Sequence, residues 1–293
     1  MKNSPGASEA KEVPCGDPRR SLFRPLISGM RAMFVVSCLT VSVAGFQLFV
    51  LTEYTDRFFA WTIDVPLTAA FLGACYWGSF ALVLVASWQQ AWARSRVAVP
   101  GVWLFTVLTL LATLIHIDLF RMDSVFGWAW LVVYLVVPLG YGVFWVLQLR
   151  IAGGDPPRQA TLPRWLRFVL GVQAAIMLIW GTALFLAPQT MSALWPWALT
   201  PLTGQAVGAW LIGIGVTAAQ MCWENDFGRG YAGMAGYAAL GALQLLALAR
   251  YGDATVDWSG AGGWIYLLFV LGVFGVGLYG WLEARRRTGR SSP

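Results

Sequence analysis

His116, the single histidine of the chain, is the first residue whose type and position could support chemistry. It stands just before Asp118, with Asp123 nearby. An imidazole beside carboxylates can transfer a proton or bind a metal ion. A zinc site usually takes about three or four protein ligands, and no second histidine can complete one. We therefore predict no metal and no cofactor, and interpret His116 either as a polar cap at a helix end or as part of a ligand site.

An acidic stretch is the second chemical candidate. Glu224 and Asp226 stand in the sequence WENDFGR, and paired acids in a membrane protein can bind Mg²⁺ together with a diphosphate. That chemistry normally needs two separated acidic motifs, and the residues 135 positions earlier are Gln89, Gln90 and Ala91. We therefore predict a solvated loop at WENDFGR.

Apolar helices must position these residues. The chain is 58% hydrophobic and 12% charged, against about 25% charged residues in a typical soluble domain. Eight stretches approach the roughly 20 apolar residues that cross a bilayer as a helix, and a backbone in lipid must satisfy its own hydrogen bonds. We predict transmembrane helices at 31–52, 66–88, 99–118, 127–149, 166–187, 202–222, 231–250 and 263–284.

The basic residues predict the orientation of these helices. With the N-terminus placed in the cytoplasm, all but three of the 20 Lys and Arg residues fall on the cytoplasmic side. The exceptions are Arg57, Arg121 and Arg250. This positive-inside bias predicts a multi-pass protein of the plasma membrane with both termini in the cytoplasm. The basic residues assigned to the cytoplasmic side account for the net charge of +6. We therefore predict no nucleic-acid partner.

A duplication organises the helices into two halves. Residues 66–78 (PLTAAFLGACYWG) and 201–213 (PLTGQAVGAWLIG) share six identities, and scattered matches continue on both sides at an offset of 135 or 136. Because each half would hold four helices, an even number, both halves enter the membrane in the same sense. We therefore predict an all-α, polytopic integral membrane protein. Its eight transmembrane helices form two tandem four-helix repeats around a pseudo-two-fold axis along the membrane normal.

The domain boundaries follow from the duplication. The repeats are predicted at 29–150 and 165–287, joined by a cytoplasmic linker at 151–164 whose glycines and prolines break any helix. A proline-containing segment of mixed charge predicts a disordered cytoplasmic tail at 1–28, and a short basic end follows the second repeat at 288–293.

The membrane interior is predicted to be uncharged. No Asp, Glu, Lys or Arg lies near the middle of any predicted helix, which argues against ion-coupled pumping. Gly275, Gly277 and Gly280 fit a dinucleotide-binding pattern, but their place in an apolar helix favours helix packing. Polar residues at mid-membrane depth either join helices or line a pocket for a weakly polar ligand. They are Gln47, Tyr76, Thr109, Tyr134, Gln173, Thr182, Thr217, Tyr237 and Gln244.

The best-matched parts of the repeats locate a predicted ligand site. The shared PLT sequence places Thr68 and Thr203 one turn inside helices 2 and 6 at the outer face, with Trp61 and Trp197 just above. Asp118 and Asp253, at equivalent positions of the two repeats, lie at the outer ends of helices 3 and 7. We predict a site between the repeats in the outer half, bordered by helices 2, 3, 6 and 7; the alternative is that PLT simply starts a helix. The predicted site residues are Trp61, Asp64, Thr68, His116, Asp118, Trp197, Thr203 and Asp253.

Three functions of different classes are compatible with these features. The favoured one is a non-enzymatic membrane protein that binds or passes a lipophilic or neutral small solute between the repeats. The second is a membrane-embedded enzyme acting on a lipid or isoprenoid, with Asp64, Asp118 and Asp253 as its acids and His116 as a further candidate. The third is a structural subunit of a membrane complex. The lipid bilayer is the partner in each case, and a second membrane protein or a second copy of the chain is left open.

Overall fold

The computed structural model describes residues 23–289. Its long helices are α1 (Ser28–Phe49), α2 (Pro66–Ser87), α3 (Val99–Ile115), α4 (Val125–Leu149), α5 (Arg164–Leu186), α6 (Pro201–Glu224), α7 (Phe227–Thr255) and α8 (Ala261–Gly289). Each is long and apolar enough to cross a membrane, α3 together with the helical turns before it, so the predicted all-α membrane bundle is confirmed. Residues 1–22 and 290–293, which hold most of the predicted tail and basic end, lie outside the described residues.

Local sequence sets where the helices begin and end. Pro66 and Pro201 occupy the first turns of α2 and α6, where a missing N–H costs nothing. Thr200 and Thr203 form a capping box at the start of α6, in which each side chain bonds the backbone amide of the other. At the far end of α6, Asn225 takes a left-handed conformation with φ 46°, which ends the helix and turns the chain into α7.

The loops collect at two ends of the bundle. The end that carries the segment between the halves is termed the linker end, and the other is termed the opposite end. The linker end comprises residues 23–27, 88–98, 150–163 and 225–226. The opposite end comprises residues 50–65, 116–124, 187–200 and 256–260. The predicted orientation places the linker end in the cytoplasm.

The two halves of the bundle interlock. Within the halves, α1 packs on α2 and α5 on α6, while α3 with α4 and α7 with α8 form two hairpins. Across the halves, α7 packs along α2 and α3 packs along α6. As a result α2 and α6 are the most buried helices, whereas α4, α5 and α8 turn most of their surface outward.

Glycines set the closest helix crossings within each half. A β-carbon added at Gly73 of α2 would lie 2.7 Å from the amide nitrogen of Phe49 in α1. One added at Gly208 of α6 would lie 2.9 Å from the amide nitrogen of Phe185 in α5. Real β-carbons do not approach other atoms so closely, so only glycine lets these backbones touch.

Glycines also set the closest helix crossings between the two halves. A β-carbon at Gly78 of α2 would lie 2.8 Å from the β-carbon of Leu240 in α7. A β-carbon at Gly213 of α6 would lie 2.8 Å from that of Phe105 in α3. Gly78 and Gly213 are 135 positions apart in the sequence, and so are Phe105 and Leu240. The crossings between the halves therefore recur at positions that the predicted duplication relates.

The glycines of the dinucleotide-like pattern divide into two groups. Gly277 approaches the backbone at Ala238, and Gly280 packs against Met234, both in α7. A β-carbon at Gly275 would meet nothing within 4 Å. Helix packing thus explains two of the three glycines.

The segment before α1 is part of the fold. Residues 23–27, predicted to belong to a disordered tail, form a strap across the linker end. The Arg24 amide donates a 2.9 Å hydrogen bond to the Gly154 carbonyl oxygen, and the Ile27 amide donates one of 2.9 Å to the Gln148 side chain. These backbone hydrogen bonds order the strap, and composition does not reveal them.

At the opposite end, α7 reaches across to close α1. Nη1 of Arg250 donates a 2.6 Å hydrogen bond to the carbonyl oxygen of Phe49, and the guanidinium lies 5.6 Å from the centroid of the Phe49 ring. That carbonyl is among the last of α1, which no amide within the helix can satisfy. A residue of the second half thus caps the first helix.

Replacing Gly73 or Gly208 with Ala should lower the free energy of unfolding in detergent by about 1–3 kcal/mol, because the added methyl group meets backbone atoms. The matched control is Gly275→Ala, where the methyl group meets nothing within 4 Å. There alanine gains up to about 1 kcal/mol in helix propensity. Thermal unfolding followed by circular dichroism should rank Gly275→Ala at or above the native protein and the other two variants below it. Equal melting temperatures would refute the packing role of the glycines.

Single cysteines at the two ends test the orientation, in a background without the native cysteines. Thr190 and Ser259 are exposed at the opposite end, and Thr161 is exposed at the linker end. The positive-inside bias predicts that an impermeant thiol reagent labels Thr190→Cys and Ser259→Cys in intact cells, and Thr161→Cys only after lysis. The reverse pattern would invert the orientation.

Candidate functional site

Two of the predicted site residues meet across the halves. The indole nitrogen of Trp197 donates a 2.9 Å hydrogen bond to the hydroxyl of Thr68, and both side chains are buried. The reciprocal pair does not form. The Thr203 hydroxyl bonds to Thr200 in the helix cap, and among the described residues the buried Nε1 of Trp61 has no hydrogen-bond partner. The Trp197–Thr68 bond therefore ties the loop before α6 to α2.

The predicted acids lie apart from this pair. Nε2 of His116 lies 3.0 Å from Oε1 of the buried Gln205, so the imidazole helps to fix the end of α3 to α6. Asp64, Asp118 and Asp253 are exposed. Within residues 23–289, no three His, Cys, Asp or Glu side chains stand close enough to hold a metal ion. The structure brings these carboxylates to no common site.

Between the halves, toward the middle and the linker end of the bundle, there is little room. The space among α2, α3, α6 and α7 measures about 40 Å³. Phe105 and Trp210 line it and stack on each other, with 3.7 Å between ring centroids. Known ligand pockets usually measure roughly 300–1,000 Å³. Larger cavities lie mainly within each half, and a ligand site in the outer half between the repeats stays a prediction.

The first of these cavities, termed cleft 1, has a volume of about 410 Å³. It lies among α1, α2, α3 and α4, with Phe59 at the opposite end. Two hydroxyls in its wall, those of Tyr76 and Tyr134, lie 2.6 Å apart and hydrogen-bond to each other. The other polar side chains that line cleft 1 are also neutral. They are Ser37, Thr40, Gln47, Ser79 and Thr106.

The second cavity, termed cleft 2, has a volume of about 350 Å³ and lies among α5, α6, α7 and α8. Phe71 and Cys75 of α2 complete one wall, and Trp195 lines it at the opposite end. The Tyr266 hydroxyl donates a 3.1 Å hydrogen bond to Oε1 of Gln244. The Gln244 amide in turn donates one of 3.0 Å to the Phe71 carbonyl. No Asp, Glu, Lys, Arg or His is among the described residues that line either cleft.

Cleft 1 opens sideways between α1 and α4. These helices touch near the linker end, where Met33 packs against Gly140. Nearer the opposite end, cleft 1 lies between them. Leu39 and Val125 line the cleft and are 66% and 73% exposed. Exposed apolar side chains on membrane helices face lipid, so the cleft opens toward the bilayer.

Cleft 2 repeats this arrangement between α5 and α8. Near the linker end the rings of Trp165 and Tyr279 pack with 5.0 Å between centroids. Farther along, Ile176 of α5 and Ile265 of α8 line the cleft and are exposed. Each half of the protein therefore contains an apolar cavity that opens sideways onto exposed apolar surface.

Sequence patterns identified part of this lining but not its place. Of the mid-membrane polar residues, Gln47, Tyr76, Tyr134 and Gln244 line the clefts. None of the predicted site residues lines either cleft. The open rims consist of exposed apolar residues, and in a sequence these look like any other lipid-facing surface.

The WENDFGR stretch is a buried ion-pair cluster and not the predicted solvated loop. The Glu224 carboxylate accepts hydrogen bonds of 2.5 and 2.7 Å from Arg96 and lies 3.2 Å from Nη1 of Arg229. Asp226 caps α7 and accepts a 2.8 Å hydrogen bond from the Gln159 amide of the linker. Both acids are thus committed to protein partners, and the cluster joins α3, α6, α7 and the linker.

Glu224→Gln should lower the free energy of unfolding by about 1–3 kcal/mol, because Arg96 and Arg229 lose their buried carboxylate partner and keep only the less buried Asp155, which lies 2.7 Å from Arg96 and 3.6 Å from Arg229. The matched control is Glu283→Gln, which removes a more exposed 2.6 Å pair with Arg287 within α8 and should cost less than about 0.5 kcal/mol. Melting temperature in detergent and the rate of tryptic cleavage in the linker report the difference. Equal losses of stability in the two variants would show that the buried cluster contributes no more to the free energy of unfolding than the exposed pair.

Comparisons of the chain with protein-family models, with curated proteins and with solved structures found no match. No family assignment follows from them. The function is therefore argued from the two clefts and their chemistry.

Proposed function

We propose that this integral membrane protein binds apolar chains, such as the acyl or isoprenoid chain of a lipid, in clefts 1 and 2. One observation carries the proposal: each half contains an uncharged, largely apolar cavity whose rim is exposed apolar surface. A ligand of this kind enters sideways from the bilayer and needs no passage through either end of the bundle.

The size and chemistry of the clefts favour a hydrocarbon chain over a polar solute. Their volumes of about 350 and 410 Å³ are typical of ligand pockets. A charged or strongly hydrated solute would lose its water there without charged groups to replace it. A hydrocarbon chain exchanges one apolar environment for another and gains contacts with fixed aromatic walls. Shape complementarity then decides which chains bind.

This proposal moves the solute predicted from the sequence out of the interface between the halves. The enzyme alternative needs carboxylates beside a cavity, and the exposed Asp64, Asp118 and Asp253 line neither cleft. The alternative of a structural subunit is supported by the lipid-facing surface alone and does not account for the two clefts. We therefore favour binding of a lipophilic ligand.

We also propose that the clefts are equivalent sites of a duplicated four-helix unit. Val41 in cleft 1 and Met177 in cleft 2 are 136 positions apart in the sequence, and Phe105 and Leu240 are 135 apart. The paired glycine crossings support the same relation. In this proposal the duplication axis runs along the membrane normal and the linker end faces the cytoplasm.

Photolabelling tests the proposed binding. An alkane that carries a diazirine group, added to the protein in phosphatidylcholine nanodiscs, should label the cleft walls saturably. Excess hexadecane should suppress this labelling, whereas labelling of outward faces should persist, as peptide mass spectrometry can show. Ala44→Trp should remove the saturable fraction in cleft 1 and Ile176→Trp that in cleft 2, because an indole fills the space.

Ile179→Trp is the matched control for Ile176→Trp. Ile179 is 70% exposed on the same helix and does not line cleft 2, so the saturable labelling should remain. If hexadecane reduces labelling in neither cleft of the native protein, the proposed function is wrong.

A further inference from the structure

We infer that cleft 2 takes a neutral lipid with a hydrogen-bond acceptor oxygen, such as an ester or ketone carbonyl, at the end nearest Trp195. The inference rests on the proposed function, because it names the class of ligand for one of the two clefts. Its physical basis is an indole N–H without a partner in the wall of that cleft.

Trp195 lines cleft 2, and among the described residues its buried Nε1 has no hydrogen-bond partner. A buried donor without an acceptor is costly, since it has lost water and gained nothing in return. An indole nitrogen can only donate. A ligand that offers an acceptor oxygen relieves this cost, and a pure hydrocarbon leaves it in place.

The other buried polar groups of cleft 2 already have partners. The Tyr266 hydroxyl donates to Gln244 at 3.1 Å, and the Gln244 amide donates to the Phe71 carbonyl at 3.0 Å and lies 3.5 Å from the sulfur of Cys75. Trp195 is therefore the buried donor with unused capacity among the described residues of this cleft. The oxygen of a bound ligand is expected beside it.

Neighbouring rings hold the Trp195 indole in place. Its centroid lies 5.2 Å from that of Trp197 and 6.0 Å from those of Phe71 and Tyr266. Trp195 lies at the opposite end, just before α6, where tryptophans of membrane proteins meet the lipid headgroup region. A carbonyl at this depth lets the attached chain run down cleft 2 toward the middle of the bilayer, as an acyl chain normally does.

Cleft 1 provides an internal contrast. Phe59 lines it at the position 136 residues before Trp195, and a phenyl ring offers no donor. The tryptophan among the described residues of cleft 1 is Trp130, and its indole nitrogen already donates a 3.0 Å hydrogen bond to the Thr113 hydroxyl. Among the described residues, cleft 1 therefore has no buried indole donor without a partner, and its other neutral donors include Gln47 and Ser79.

Competition against the photoreactive alkane tests this inference, with methyl palmitate and hexadecane as the competitors. In the native protein, methyl palmitate should protect cleft 2 at roughly fivefold lower concentration than hexadecane, the effect of about one net neutral hydrogen bond. Trp195→Phe, which places in cleft 2 the residue type found in cleft 1, should remove the preference and keep protection by hexadecane.

Trp180→Phe is the matched control, since Trp180 lines the same cleft but is not the buried unpaired donor. This variant should keep the preference for the ester. Equal competition in native cleft 2, or a preference that survives Trp195→Phe, overturns the inference and leaves the proposed function standing. Failure of both competitors to reduce labelling in the native protein overturns the proposed function itself. If Trp195→Phe does not fold, the comparison of the two competitors in native cleft 2 decides.

Discussion

Contact between backbones at glycines is the constraint on which the rest of the structure depends. Gly78 against Leu240 and Gly213 against Phe105 bring helices of different halves as close as helices can come. Helices that touch in this way leave almost no volume at the centre of the bundle. The free volume lies instead at the periphery, between helices that touch only near the linker end. The position of both clefts thus follows from the glycines at the centre.

The two ends of the bundle are fastened by different chemistry. At the linker end, Glu224 with Arg96 and Arg229 forms a charged cluster where the membrane interior gives way to the surface. At the opposite end neutral hydrogen bonds such as that from Trp197 to Thr68 are joined by two arginines, Arg121 and Arg250, each of which donates to a backbone carbonyl. The clefts lie nearer this second end. Their surroundings are therefore held by aromatic packing and single hydrogen bonds, while the charges lie outside the lining.

The helices could be predicted from the sequence because each is a long apolar run. The ends were less predictable: α7 was expected at 231–250 and runs over Phe227–Thr255, since Asp226 caps it before the apolar run begins. The candidate site was harder still. Thr68 and Thr203 share a motif, but the residue before Pro201 is Thr200, which occupies the Thr203 hydroxyl. Val65 precedes Pro66 and supplies no such cap. The Thr68 hydroxyl is thus left to accept a hydrogen bond from Trp197. The difference between Val65 and Thr200, beside the shared motif, thus removes the expected symmetry. The clefts could not be predicted because they depend on the spacing of the helices, which no single residue type specifies.

The interlocked halves have a consequence for how the chain is made. Because the chain is made from its N-terminus, α2 and α3 are synthesised before their partners α7 and α6 exist. The last carbonyl of α1 has the Thr52 hydroxyl as a local partner and gains Arg250 only from the second half. The glycine faces of the first helices must therefore remain against lipid or the insertion machinery until the second half arrives. A chain that stops at the linker therefore lacks the helices on which α2 and α3 pack, and its first half cannot form the contacts between the halves.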